Sequence, residues 1–571
     1  MKKILVILFV FISNSAFCQE FLNLDFEYEI QGTEVPQKWN FVKNGYEIKL
    51  DKQEKFNLSK SLIIRSKNPK KDDFGGCSMT FPIELVKGKG IEFKGKIKTE
   101  EVKNGFAGIW WSAYNNEGSV GFDNMQDRGL KGSNDWTEVS IKMNIVNSAT
   151  HIAFGGMLSG QGTAWFDDFE IFVEGEKFID LKPRTAGPSK DELMWLEKHI
   201  HSFKTYDPKD TLIEDLKVLD KLIGDSKVVA LGEVTHGSSE IFKMKHRVIK
   251  YLAEHRAFNI FSIEANMPES YKLNEYVIGG KGNPIELIKG MYFWTWQTQE
   301  VLDMVEWMKE YNLANQKIHF TGFDMQFYQG AIKELEKSFS DQEKAYETLS
   351  TLKKTLYVVK TTHQIIVSKE DRENINRILN SINNFIAESK KSKSEMDWLY
   401  QNVRIIEQYL DQNVASRDKY MAENLLWIKD QNLGSKIVIW AHNGHIEETG
   451  YSMGKYLSDT LDTDYLTIGF AFHNGYYTAT GNDGLTSYEA QNSYIGTYEN
   501  FFNAINVPIF ILDLRTIKEK ASENSKWLLD KLGFRNVGAM KMENEFSATN
   551  LTQDFDLIIF VNESTSSTLL K

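Results

Sequence analysis

Seven short apolar runs in the later two thirds of the chain limit its fold more than any other feature. They are Lys227–Leu231, Asn259–Ile263, Lys317–Phe320, Lys436–Trp440, Tyr465–Ile468, Pro508–Leu512 and Leu557–Val561. Each is too short for a helix and too continuously apolar for a strand with one wet face. Helical patterns separate them. Strands alternating with helices predict an α/β domain whose sheet is largely parallel and buried on both faces. Between the third and fourth runs, Ile375, Ile378, Leu379, Ile382, Phe385 and Ile386 keep helical spacing, as do Leu399, Val403, Ile406 and Leu410. A helical lobe is therefore expected over about 328–430, inserted in a domain spanning 191–562.

Before residue 179 the pattern is different. Ser61–Arg65, Ile91–Ile97 and Thr137–Met143 alternate apolar and polar, with Gly and Asn between such runs. Many short alternating strands predict an antiparallel β-sandwich over 20–178. Its opening Asn23–Glu27 and closing Ala164–Ile171 resemble the first and last strands of galactose-binding-like jelly rolls, many of which are carbohydrate-binding modules. That resemblance implies a structural calcium near Glu27 and Asp168 and a carbohydrate partner. Trp39, Trp110, Trp111, Tyr114, Trp136 and Trp165 are read as sandwich core ahead of a sugar platform, because large aromatics dominate cores. A linker at 179–190, containing Pro183 and Pro188, joins this module to the α/β domain. The chain is thus multidomain.

Residues 1–18 have the layout of a secretory signal peptide: two lysines, an apolar run from Ile4 to Ile12, then small polar residues. Cleavage after Cys18 places the mature protein in the periplasm or outside the cell. A lipid anchor on Cys18 ranks second, because Phe17 is bulky for the position before a lipidated cysteine. Cys77 is then the one cysteine left, so the mature chain forms no internal disulfide and no Cys-ligated zinc site. A charged fraction of 26% and the lack of a further long apolar run leave no transmembrane segment in the mature chain. A net charge of -12 with no long basic run excludes nucleic acid as a partner.

In open α/β sheets, ligands bind beyond the carboxyl ends of the strands. There the chain reads Gly232-Glu233-Val-Thr-His236-Gly237, Glu264-Ala-Asn266, Thr321-Gly-Phe-Asp324-Met-Gln326 and Ala441-His442-Asn443-Gly-His445. Four strands thus end in carboxylates, imidazoles and amides. An imidazole beside a carboxylate makes a good general base, which points to His236 with Glu233. Glu233 and Glu264 are expected on neighbouring strand ends, where mutual repulsion raises one pKa. His442 and His445 are candidates for holding substrate oxygens or for proton transfer. Three histidines and three carboxylates are also enough donors for a divalent ion, so a metal-dependent hydrolase remains a rival reading. Gly450-Tyr-Ser452-Met-Gly454 matches the nucleophile-elbow pattern, but Ser452 lies twelve residues past Trp440 and not on the turn after a strand, so it is read as chance.

These strand-end motifs are similar to those of the erythromycin esterase family. Leu231-Gly-Glu-Val-Thr-His-Gly237, Ile263-Glu-Ala265 and Trp440-Ala-His-Asn-Gly-His445 carry the likeness, with Trp195–His199, Thr211–Leu216, Ser416–Asn424 and Ser452–Leu457 in support. The resemblance implies an esterase that needs no cofactor, acting on a small-molecule ester or macrolactone, with macrolide resistance as a role. It makes His236 the base that activates water. Glu233 and Glu264 orient it and the substrate, and His442 and His445 line the same cleft. Lys245 stands where the family usually has Arg. Lysine keeps the charge and loses the planar fork, and Arg247 is the residue expected to compensate. Asp324, Trp294 and Trp296 complete the expected substrate-binding set. The remaining alternative is a glycan-binding surface protein whose esterase-like domain is inactive.

Overall fold

Alternation of side chains builds the first unit, which spans residues up to 185. The computed structural model describes residues 21–571 except 31–32, 71–72, 116–117, 179, 181–183, 185, 315–316, 360–367 and 412–413. The export segment 1–18, Cys18 and Pro183 of the linker lie outside the described residues.

Ten antiparallel strands of the first unit form one hydrogen-bonded sheet. Its organising element is the 26-residue strand Gly90–Asn115. The first half of that strand pairs with Leu130–Asn144 and Gln161–Val173, the second half with His151–Ser159 and Gly118–Asp123. Left-handed residues Glu101 (φ 50°) and Asn104 (φ 58°) interrupt it where the register shifts. The strand changes partners there, so the sheet curls almost into a barrel and does not stay as two separately bonded layers. Trp39, Phe93, Trp111, Phe154 and Phe166 fill the interior, with Trp111 stacked on Phe154 at 5.3 Å between ring centroids. The aromatics named from sequence divide accordingly: Trp39, Trp111 and Trp165 are core, whereas Trp110, Tyr114 and Trp136 keep exposed surface. Cys77 is buried and free, and burial pushes its thiol up to about 12. Glu27 accepts the amide hydrogens of Ser59 and Lys60.

The second unit comprises residues 186–545 and 549–571. All seven apolar runs are strands of one sheet. In space they lie in the order Ile200–Ser202, Ile509–Asp513, Leu557–Ser564, Tyr465–Gly481, Val228–Leu231, Lys436–Trp440, Phe258–Asn266, His319–Asp324. From Leu557–Ser564 to His319–Asp324 the strands run parallel. Ile509–Asp513 runs antiparallel to Leu557–Ser564. Every residue of Val228–Leu231 is buried, as a central strand covered on both faces requires. The helical lobe consists of Gln329–Ser338, Glu343–Val359, Lys369–Glu388, Lys393–Asp411 and Val414–Gln431.

One expectation is corrected by the strand order. The strands leading to Glu233 and Glu264 are not neighbours, because Lys436–Trp440, which comes far later in sequence, lies between them. Leu231, Trp440 and Ile263 stand in register across the three strands. The residues that follow each therefore emerge side by side, with Ala441 and His442 in the middle.

Candidate active site

The loop after Val228–Leu231 is held by its backbone before any side chain is considered. The carbonyl of Glu233 accepts the Asn443 amide at 2.8 Å, and that of Val234 accepts the Val537 amide at 2.7 Å. The Gly237 carbonyl accepts two, from Thr478 at 3.0 Å and Ser567 at 2.8 Å. These contacts need glycine at both ends of the loop. A Cβ on Gly232 would sit 2.0 Å from Asn443 Oδ1, and one on Gly237 would sit 2.0 Å from the Thr478 carbonyl oxygen. Ser238 then caps the long helix Ser239–Arg256, its hydroxyl accepting the Ile241 amide at 3.3 Å.

This helix explains the fate of the two basic residues expected in the site. Ile241, Lys245, Val248, Ile249 and Leu252 share one buried stripe at helical spacing. Lys245 thus points inward from a fully buried position. Its ammonium lies 2.6 Å from Glu233 Oε2, 3.3 Å from the Ala441 carbonyl and 4.3 Å from the centre of the Trp440 ring. Arg247 is two residues on, about 200° around the helix. It pairs with Asp215 at 2.8 Å and with the carbonyls of Thr205 and Leu212, on another face. Arg247 therefore neither compensates for Lys245 nor reaches the site.

Glu233 is completely buried, and three groups share its carboxylate. Oε1 lies 2.8 Å from His236 Nδ1, and Oε2 accepts from Lys245 and, at 2.6 Å, from the Trp440 indole. Glu264 is bound as fully: its Oε1 accepts from Arg417 at 2.8 Å and lies 3.3 Å from His445 Nε2, while Oε2 accepts the His442 amide at 3.0 Å. Burial alone would raise both pKa values. For Glu233, Lys245 and His236 outweigh it, and for Glu264, His445 and Arg417 do. Both carboxyls are held low. The expected rise of one of them does not occur, because each has its own cations and they do not share a proton.

The histidines take distinct states. His445 lies between Asp418, 2.8 Å from Nδ1, and Glu264. Burial opposes its charged form, but Glu264 and Asp418 prevail and lift it to about 10. His442 is the reverse. Burial, with His236 and His445 nearby, lowers it to about 4, so it is neutral at pH 7. Its Nδ1 accepts the Gly444 amide at 3.2 Å, which leaves the hydrogen of the neutral ring on Nε2. That Nε2 is buried without a partner among the described residues. The His236 and His442 rings are 5.2 Å apart.

Two residues of the helical lobe complete the cluster, Arg417 and Asp418. Arg417 bonds Asp324 at 2.7 Å as well as Glu264, and lies 3.1 Å from His445 Nε2. Asp324, expected to touch substrate, is fully buried and instead holds Arg417. Trp296 is buried too. Its indole donates to the Glu264 carbonyl at 3.0 Å, and its ring stands edge-on 5.9 Å from His236. Trp294, in the same turn, is half-buried. Ser452 caps the helix Met453–Leu461, accepting the Lys455 amide at 3.1 Å and donating to the Thr449 carbonyl at 2.9 Å.

The arrangement is layered. Glu233, Glu264 and Asp324 form a buried floor, whereas His236, His445 and Arg417 keep 11%, 20% and 21% of their side-chain surface exposed. Whatever enters meets imidazole and guanidinium, with carboxylates orienting them from below. Among the described residues, no group of three His, Cys, Asp or Glu is disposed to hold a metal ion. The carboxylate oxygens of Glu233 and Glu264 are already occupied by N–H groups and cations.

A family model described as erythromycin esterase matches residues 253–564, more than half of the chain. That span contains Glu264, Arg417, His442 and His445. Glu233, His236 and Lys245 precede it. A putative hydrolase, YbfO of Bacillus subtilis, is 23% identical over 433 residues, covering 68% of this chain and 94% of its own. Erythromycin esterase type II of Escherichia coli is 27% identical over 342 residues, covering 51% and 79%. Among solved structures, a succinoglycan biosynthesis protein aligns with a TM-score of 0.59 at 27% identity, over 67% of this chain and 98% of its own. A mutant of the erythromycin esterase EreC in its open conformation aligns with a TM-score of 0.51 at 16% identity, over 65% and 99%, a likeness of fold alone. These relatives support hydrolase activity, and the match of its model over most of the second unit shows that the chain belongs to the erythromycin esterase family.

Proposed function

We propose that the second unit hydrolyses a carboxylic ester or macrolactone by direct attack of water, with His236 as the general base. One observation carries this reading: His236 has Nδ1 fixed on a buried carboxylate while part of its ring stays open. A donor hydrogen on Nδ1 toward Glu233 leaves the lone pair of Nε2 free to take a proton from water. Attack on the carbonyl carbon then places negative charge on the carbonyl oxygen. Arg417 and the Nε2–H of His442, which has no partner among the described residues, are the donors available to it, and protonated His445, its own N–H groups held by Asp418 and Glu264, adds positive charge nearby. Collapse of the tetrahedral adduct expels the alkoxide, which takes the proton back from His236. No covalent enzyme intermediate is required. Ser452 has no part in this scheme. Ser452→Ala is expected to cost about 0.5–2 kcal/mol as a lost helix cap and to leave kcat unchanged. A kcat collapse in a folded Ser452→Ala protein would favour a serine nucleophile instead.

The N-terminal unit is read as a jelly roll that holds the enzyme near a carbohydrate, and the chain as exported. A purified mature protein beginning at Gln19 would support export. The central test is a hydrolysis panel with the full chain at neutral pH, containing macrolactones of several ring sizes and acylated saccharides, with and without exhaustive chelation. Turnover of at least one ester that persists after chelation is expected. Turnover that vanishes with the chelator and returns with a divalent ion would favour the metal-dependent reading.

A further inference from the structure

A cavity of about 320 Å³ lies in the second unit beside the edge strand His319–Asp324, lined by that strand's earlier residues His319, Thr321 and Gly322. The catalytic cluster begins where this strand ends, at Asp324, whereas the cavity flanks the edge of the strand before that point and is lined by none of the cluster's residues. Its volume is within the range of small-molecule sites.

The walls define what fits. One side is aromatic: Tyr271 stacks on Trp398 with ring centroids 4.8 Å apart and planes 29° from parallel, and Trp427 stands 6.2 Å beyond. Tyr271 stays 42% exposed although it stacks on Trp398. The rest of the lining mixes aliphatic side chains with the amides of Asn274, Gln431 and Asn432 and the hydroxyls of Thr321 and Ser394. No Asp, Glu, Lys or Arg is among the described lining residues. Burial, with Lys317 nearby, lowers the pKa of His319, so this side chain adds no charge at neutral pH. An ion would enter without a counter-charge, and a purely hydrocarbon ligand would leave unused the Gln431 amide, Asn274 Nδ2 and Asn432 Oδ1, the other amide atoms of those two asparagines already bonding the Phe320 amide and the Ile428 carbonyl. A hydroxylated ring satisfies both walls. Its C–H face packs on the aromatics and its hydroxyls exchange hydrogen bonds with the amides.

We propose that this cavity is a second ligand site, separate from the catalytic cluster, for an uncharged saccharide of one or two rings. The Val414–Gln431 helix carries Arg417 near one end and Trp427 and Gln431 near the other, so the two sites share a scaffold without sharing a residue.

The test is saturable binding by the full chain, measured by calorimetry and by tryptophan fluorescence. The probes are glucose, galactose, mannose, rhamnose, cellobiose and lactose, with glucuronate and indole as charged and purely aromatic controls. At least one neutral saccharide is expected to bind. Tyr271→Ala, at an exposed position, and Gln431→Ala are each expected to weaken it at least tenfold, and His236→Ala to leave it unchanged. Silence across the neutral saccharides overturns the proposal. So does uptake that Tyr271→Ala and Gln431→Ala leave intact, which would place the sugar elsewhere on the chain, and so does binding of indole or glucuronate alone.

Discussion

Substitution His236→Ala is expected to lower kcat/KM for a carboxylic ester by about 10²–10⁴-fold, the usual contribution of a positioned general base. The loss falls on kcat, because the imidazole is needed when the proton moves and not when substrate docks. Stability is expected to change little. Glu233 loses the contact to Oε1 but keeps Lys245 and the Trp440 indole on Oε2. The His236 ring is partly open, so water replaces it beside the carboxylate. Thermal unfolding and steady-state kinetics on the same preparation check both statements. Unchanged turnover in a folded His236→Ala protein moves the base to another residue. A large drop in stability would mean that His236 is mainly a structural partner of Glu233.

The parts of this site that can be read from sequence are those written along single strands. Gly232–Gly237, Glu264 and His442–His445 each follow an apolar run, so the rule that ligands bind beyond strand ends finds them without further information. Arg417 and Asp418 do not follow a strand. They enter from a helix of the lobe, and only the family-like stretch Ser416–Asn424 hints at them. Strand order is equally hidden, because nothing local in Lys436–Trp440 says that it inserts between two strands formed much earlier in the chain. Errors about charge follow from these gaps. Two carboxylates assumed adjacent and lacking counter-ions should share a proton; with Lys245, Arg417 and His445 in place, neither does. Helical phase was legible but has to be applied to charged residues as well as apolar ones. It puts Lys245 on the buried stripe with Ile241 and Ile249, and it turns Arg247 away from them.

Lys245 carries the second large expectation. Lys245→Met keeps the length of the stem and removes the cation, leaving Glu233 ionised in a completely buried position with only neutral donors and His236 beside it. Breaking a buried pair in this way costs about 3–5 kcal/mol, readable as a fall in the free energy of chemical denaturation at pH 7. The sign of its pH dependence follows from Glu233, whose carboxyl is held below its ordinary value by Lys245 and His236 against burial. A depressed carboxyl contributes stability above its unfolded pKa, and that contribution fades as pH falls through the folded value. The gap between wild type and Lys245→Met is therefore widest at neutral pH and narrows on acidification. Lys245 itself is brought down to about 8, burial being the largest cause and Glu233 opposing it. Above that pH the ammonium becomes an amine, Glu233 is left without its counter-ion, and the cluster turns more negative, which opposes the oxyanion that forms in the transition state. The alkaline limb of kcat/KM is thus expected near pH 8 in the native enzyme. Lys245→Arg retains a cation that does not titrate in this range, and its limb is expected at least one pH unit higher. A limb that remains near pH 8 with Arg in place belongs to some other group and removes Lys245 from the control of the rate.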